Sequence, residues 1–442
     1  MNRQRLWGLM LLTGVAFYLW KSGETKPLRS TRTVGPNVLL ITLDTTRADA
    51  IGPKNTPTIE RMAREGARFT SAVSPAPITQ PSHLGMLTGA PPYVSGVVTN
   101  GTHIGDRPTS LSHVLSAAGY VTSAFVSATP LTAKFGWDQG WDHFDDRLRV
   151  GLFGSSKERT ASHTVDAALA WFEHHSDQRF ATWVHLFDPH GPYEAPGQSI
   201  DGPTEGEPLA LPAYWPDSHK AITDPGWFLA AYDAEIHHMD QQLERLLTGL
   251  SEWGVLDDTL VIIVGDHGES LTEHGYLFDH GDHLYDASLR VPLIARWPGH
   301  IEAGVSHDCV VNTTGVYSVI LDLTGNRGPE HTTMSQLSGV LSQGLACMDE
   351  AVLATTVTAR FADPPPIEHA LRTRTVKRVV PAKGDPYCFD LSLDPNELRP
   401  SPDCSVDVAT DMDEMLKTQR PPVPPNRDDE TKEQLIELGY LE

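Results

Sequence analysis

Four residues carry the chemistry to be expected of this chain: Asp44, Thr79, Asp266 and His267. Two carboxylates and an imidazole make a donor set suited to a divalent cation. A hydroxyl beside such a cation loses its proton more readily and becomes a nucleophile. Each residue alone says little. Asp-His dipeptides arise by chance, and a threonine ahead of a helix is most often a structural cap. The surrounding pattern gives them meaning.

Three short apolar runs end in acids or histidines. Residues 38–43 run into Asp44, residues 182–187 into Asp188-Pro189-His190, and residues 260–264 into Gly265-Asp266-His267. Runs without polar alternation read as strands buried on both faces, as in a parallel sheet. Open sheets of that kind place ligand residues at the carboxyl ends of their strands.

Helical stretches separate the runs. Thr56-Pro57 opens one, with Ile59, Met62 and Ala63 inward and Gly66 as its stop. Another spans about residues 227–250, with Ile236, Met239, Leu243, Leu246 and Leu250 as a core stripe. Glu235 and His238 on it have the spacing of a metal pair. With no second such helix, a structural place is expected for them. Pro81 predicts a helix that starts just after Thr79 and runs to about Leu87. An anion would then meet free N–H groups and the helix dipole beside the Thr79 hydroxyl.

The expected fold class is therefore α/β, with a mostly parallel central sheet flanked by helices. Residues 370–380 and 387–393 add a small C-terminal sheet. Three parts are expected: 1–33 as an N-terminal signal anchor and linker, 34–325 as the catalytic domain, and 326–442 as a small C-terminal subdomain with an acidic tail. Residues 197–225 read as a long loop over the substrate pocket, and residues 401–432 as a poorly ordered, proline-rich strap.

A chain of 442 residues suffices for a large core. Its net charge of -23 argues against nucleic acid as a partner, since duplex binding needs basic surface. Residues 6–20 are almost wholly apolar, with Arg3 and Arg5 before them and Lys21 after. That pattern predicts a membrane-anchored protein, its catalytic domain periplasmic or extracellular. Of the four cysteines, Cys388 and Cys404 make one candidate disulfide, with free buried thiols as the alternative.

Several blocks occur in order: VLLITLDTTRAD (38–49), TQPSHLGMLTG (79–89), DPHGPY (188–193), GDHGE (265–269), YDASLRVPLIARWPG (285–299) and FDLSLDPNE (389–397). Together they resemble the sulfatases of the alkaline-phosphatase superfamily. The resemblance implies an alkaline-phosphatase-like core with a C-terminal antiparallel sheet, and hydrolysis of phosphate or sulfate esters. Asp44, Asp266 and His267 fall on metal ligands, with Thr79 as a fourth. Thr79 stands where sulfatases carry the cysteine that becomes formylglycine. His190 matches a histidine that contacts the transferred group, and His280 lies near a substrate-contacting lysine. One divalent ion is implied, calcium, manganese or zinc. A second would draw on Asp188, His190, His280 and His283.

The chain also departs from that pattern. A second acid is replaced by Thr45, an arginine by His83, and the lysine and histidine of a later strand by residues around 127–129. Hydrated formylglycine expels sulfate through its second hydroxyl, which threonine lacks. A threonyl phosphate can still be hydrolysed by in-line attack. The Thr-x-Pro-Ser-His segment is similar to the nucleophile segment of nucleotide pyrophosphatase/phosphodiesterases, whose asparagine corresponds to Asn100. These features favour phosphomonoester or phosphodiester hydrolysis, with His280 or His283 as the acid for the leaving group. Asn100, His83 and His274 are the further substrate-binding candidates. The expected substrate is a small-molecule, glycan or lipid ester. The alternatives are a membrane-bound phosphoethanolamine- or glycerophosphate-type transferase, and an inactive sulfatase-like binding module.

Overall fold

The computed structural model describes residues 35–436 apart from 106–108, 149, 152–153, 156–157, 198–200, 330–334, 359–365 and 427. The central sheet has eight strands: β1 (Asn37–Leu43), β2 (Ala67–Val73), β3 (Val121–Phe125), β4 (His143–Asp145), β5 (Phe180–Leu186), β6 (Thr259–Gly265), β7 (Arg290–Arg296) and β8 (Val305–Asn312). Their spatial order is β8-β2-β7-β6-β1-β5-β3-β4. All neighbours are parallel except β7, which runs antiparallel to both β2 and β6. The mostly parallel sheet expected from the apolar runs is present, with one reversed strand inside it.

β1 lies between β5 and β6, and every residue of these three strands is buried. The side chains of β1 alternate between two cores. Val38 and Leu40 pack with Leu84 and Leu87 of α2 (Thr79–Thr88). Leu39, Ile41 and Leu43 pack with α1 (Pro57–Glu65), α3 (Ala161–Phe172) and α4 (Pro225–Glu252). Fully burying one such aliphatic side chain contributes about 1.5–3 kcal/mol, so the middle of the sheet is its stiffest part. On α4, Ile236, Met239, Leu243, Leu246 and Leu250 are all fully buried, as their spacing predicts. Glu235 is structural too, accepting the Glu194 N–H at 2.5 Å.

A second sheet holds β9 (Val352–Val357), β10 (Ile367–Arg372), β11 (Val376–Val380) and β12 (Tyr387–Asp390), all antiparallel. One face packs on Leu284, Leu289 and Val310, and the other on α5 (Val406–Leu416). The stretch after α5 is an ordered strap. Arg420, Val423 and Asn426 donate backbone hydrogen bonds to the carbonyls of Tyr93, Gly96 and Gly101. Proline removes helix here, but these three amides still find acceptors, which the composition could not reveal. Two disulfides form, Cys309–Cys347 and Cys388–Cys404, and no thiol is free. The first was not foreseen, because 38 residues separate its partners in sequence.

The expected membrane anchor is corrected. Among the described residues no helix is long and apolar enough to cross a membrane. The apolar run at residues 6–20 lies outside the described residues. At fifteen residues it is also shorter than the roughly 20 that a spanning helix needs.

Candidate active site

The middle strands deliver the ligand atoms, and the sheet ladder continues into them. Asp44 N donates to Leu186 O at 2.9 Å, and Asp266 N donates to Leu43 O at 3.2 Å. Asp44, Asp266 and His267 each place one ligand atom within 4.8 Å of the others, and all three are fully buried. Gly268 lets the next element close in, since a Cβ there would sit 2.1 Å from Ala287 O.

Hydrogen bonds decide which atom each residue offers. His267 Nδ1 lies 2.9 Å from Gly268 O. A carbonyl only accepts, so Nδ1 carries the hydrogen and Nε2 keeps its lone pair. That nitrogen is 3.7 Å from Asp44 Oδ1, 3.5 Å from Asp266 Oδ2 and 3.5 Å from the Thr79 hydroxyl. Asp44 Oδ1 and Asp266 Oδ2 have no hydrogen-bond partner among the described residues. Leaving buried anionic oxygens unpaired costs several kcal/mol, and a divalent cation is the ligand that removes the cost. The residues therefore fit a metal ion. Without one, burial raises the pKa of both carboxyls, and Asp44 raises that of Asp266 further. Burial, then His280, holds His267 well below its usual range.

The backbone after Asp44 is strained. Thr45 has φ 45°, a left-handed conformation costly for a β-branched residue. In return its N–H faces the Asp44 and Asp266 carboxylates and lowers the pKa of both. The Tyr232 hydroxyl donates to Thr45 O at 2.9 Å and holds the turn.

Thr79 is the first residue of α2, one position further in than Pro81 predicts, with Ile78 at the cap. Its hydroxyl faces the Asp44 carboxylate and lowers its pKa. The helix end is less open to an anion than expected. Gln80 N donates to Asn100 Oδ1 at 2.8 Å, Pro81 has no N–H, and Ser82 N bonds Ile78 O. Asn100 caps the helix instead, and its Nδ2 has no partner among the described residues.

The histidines divide. His280 stands at the triad, its ring 4.6 Å from that of His267 and 4.9 Å from that of His190. Its Nδ1 is 3.2 Å from Glu269 Oε1, a buried carboxylate placed to orient it. His190 donates Nδ1–H to Gly191 O at 2.7 Å, and burial, then His280, pushes its pKa down to about 3. His283 stands apart between Tyr276 and Tyr285, at 4.2 and 5.4 Å between ring centres. His274 stacks on Tyr285 at 3.6 Å, lining an open groove with Tyr387 and Phe389.

His83 is turned into the core. Its Nδ1 lies 2.8 Å from Thr79 O and its Nε2 2.9 Å from the Thr42 hydroxyl. Both ring nitrogens are engaged, so the structure gives it a supporting place under Thr79 and not a substrate contact. Asp188 is likewise turned away, capping α3 through Ala161 N and lying 3.6 Å from His238. The four residues of the candidate second metal set are not gathered. Sequence reasoning passed over Glu269 and His185. A histidine inside the apolar run 182–187 was the available signal.

Residues 36–326 match the Sulfatase family model. An ulvan-active sulfatase of Formosa agariphila is 24% identical over 393 residues, covering 81% of this chain and 76% of its own. Arylsulfatase K of Rattus norvegicus is 24% identical over 451 residues, covering 85% and 76%. Among solved structures, a protein in complex with its substrate D-glucosamine-2-N,6-O-disulfate superposes with TM-score 0.70 at 19% identity, over 91% of this chain and 98% of that one. The phosphonate monoester hydrolase of Agrobacterium radiobacter gives 0.68 at 20%, over 87% and 95%. By the family-model match over residues 36–326, the chain belongs to the sulfatase family of the alkaline-phosphatase superfamily, a family of ester hydrolases.

Proposed function

We propose that this chain hydrolyses phosphoric monoesters or diesters with Thr79 as a covalent nucleophile. One observation carries the reading: the Thr79 hydroxyl meets the bare nitrogen of His267 beside two unpartnered carboxylate oxygens. Asp44, Asp266, His267 and Thr79 would hold a divalent cation, which supplies charge neutralisation and lowers the pKa of the hydroxyl.

Thr79 gives its proton to solvent water and attacks phosphorus in line, and the bond to the leaving oxygen breaks. His280 gives that oxygen a proton, with Glu269 stabilising the charged ring. Asn100 Nδ2 serves an equatorial oxygen, and His190, its Nδ1–H given to Gly191 O, lines the site beside His280. Water then attacks the threonyl phosphorus, His280 takes its proton, and the bond to Thr79 breaks as its oxygen regains a proton from solvent water. Threonine has a single hydroxyl, so the eliminative release of sulfate open to formylglycine is closed to it. Relatives named for sulfate esters and for phosphonate monoesters share the frame, so the chemistry of residue 79 supports the choice of phosphorus.

The test uses the full chain, chelated and reloaded with calcium, magnesium, manganese or zinc, on aryl phosphate, phosphodiester, phosphonate and sulfate. Metal-dependent cleavage of the phosphorus esters is expected. Cleavage of sulfate alone would overturn the reading, and release only onto an added alcohol would make the chain a transferase.

A further inference from the structure

We infer that His185 is a positioning residue for the cation site, holding one oxygen of Asp44 so that the other faces the metal. The inference rests on the metal reading above and extends it to a residue that touches neither cation nor substrate.

His185 lies on β5, paired in register with Thr42 of β1, two residues before Asp44. Its side chain is fully buried, as is that of Asp44. Ser127 N lies 3.2 Å from His185 Nδ1. A backbone N–H can only donate, so Nδ1 must be the acceptor of the neutral ring. The ring hydrogen therefore sits on Nε2, which is 3.0 Å from Asp44 Oδ2. Nε2–H donates to Oδ2, and His185 cannot be a ligand through that nitrogen. Among the described residues Asp44 Oδ1 is left without a hydrogen-bond donor, and it is the oxygen 3.7 Å from His267 Nε2.

The same arrangement fixes the Asp44 rotamer from behind. The Ser127 hydroxyl donates to His185 O at 2.5 Å and is 2.7 Å from the Thr164 hydroxyl, so the residue that sets the tautomer is itself anchored. A donor to the non-ligating oxygen of a metal carboxylate sets its orientation, and removing such partners typically costs 10–100-fold in metal affinity. Thr45 stands where the family pattern has a second acid, so Asp44 carries more of the binding here.

The test is manganese affinity of the chelated full chain by calorimetry, with Asp44→Ala as the site control. His185→Ala is expected to raise the dissociation constant about 10–100-fold. His185→Gln is expected to restore it to within about threefold, because the glutamine amide nitrogen can stand in for Nε2–H. Nitrogen-15 spectra of the unmodified chain should show the Nε2–H tautomer at His185. Unchanged affinity in His185→Ala, no rescue by His185→Gln, or an Nδ1–H tautomer would each overturn the inference. If His185→Ala does not fold, the glutamine variant and the tautomer decide. If the unmodified chain binds manganese no better than Asp44→Ala, the metal reading itself fails, and this inference with it.

Discussion

Two clusters of buried charge in this chain are built on opposite rules. In the first, Lys377 lies 2.6 Å from Asp286 Oδ1 and 2.5 Å from Glu397 Oε1, and donates to Leu284 O at 3.0 Å. Arg372 donates to Asp286 Oδ2 at 3.0 Å. The two Lys377 carboxylate contacts are ion pairs, and every charge in the cluster meets an opposite one. In the second, Asp44 and Asp266 crowd one another, and one oxygen of each meets no donor among the described residues. The first cluster ties the small sheet to the segment before β7. The second is a gap of negative charge kept open by the stiffest strands. Paired buried charge marks architecture, and unpaired buried charge marks a ligand site.

The sharpest way to break that contrast is to neutralise one member of each cluster. Asp266→Asn is expected to lower metal-dependent turnover at least about 10³-fold and to raise the melting temperature of the chelated protein, because it removes a like-charge pair. A drop in melting temperature in chelator would mean the triad is architectural. Lys377→Met should do the reverse. It leaves Glu397 uncompensated and Asp286 with Arg372 alone, and should cost about 3–5 kcal/mol in urea unfolding. Its manganese affinity should stay within about threefold of the unmodified chain; a larger change would link the two clusters.

The pH dependence separates the Lys377 cluster by sign from another buried carboxyl pair, Asp188 and Glu235, which lies outside the triad. Burial raises Asp188 to about 7, and burial followed by Asp188 raises Glu235 to about 9. A carboxyl raised above its unfolded value of about 4 stabilises fully below that value and loses its contribution as pH rises through the folded one. Stability of the chelated chain should therefore fall between about pH 5 and 9, and the double variant Asp188→Asn, Glu235→Gln should flatten the fall. Burial pushes the Asp286 carboxyl up, but Lys377 and Arg372 outweigh it and hold it below the usual range. Its contribution is present above about pH 4 and lost as pH falls. Urea midpoints at pH 3, 5, 7 and 9 check both arms, and a flat profile from 5 to 9 would contradict the first. The smallest effect is expected at Thr45→Gly. Relief of left-handed strain, about 1–2 kcal/mol, is offset by the added freedom of glycine, about 0.5–1 kcal/mol. A loss above about 2 kcal/mol would show that the Thr45 hydroxyl itself is needed.

What was legible in the sequence follows the period of the pattern. Continuous apolar runs gave β1, β5 and β6, and with them the positions of Asp44, Asp266 and His267, because a strand fixes where its last residue points. Helical spacing gave α1 and the stripe of α4. The antiparallel insertion of β7 could not be read, since parallel and antiparallel buried strands share one composition. Nor could the inward turn of His83, which depends on the Thr42 hydroxyl across the sheet. Asn100 was named as an oxygen holder, yet its bond to Gln80 N, which turns its Nδ2 into the available donor, exists only once the loop is folded. Glu269 was inside a quoted block and still had no role until His280 was seen beside it.

Thr79→Ala tests the central claim most directly. With manganese saturating, its rate on an aryl phosphodiester is compared with that of the unmodified chain, and its metal affinity is measured in parallel. Turnover should fall below about one part in a thousand, with metal affinity lowered no more than the loss of one neutral ligand allows. A rate within tenfold of the unmodified chain, with metal bound, would contradict the account, because the hydroxyl beside the triad would then not be the nucleophile.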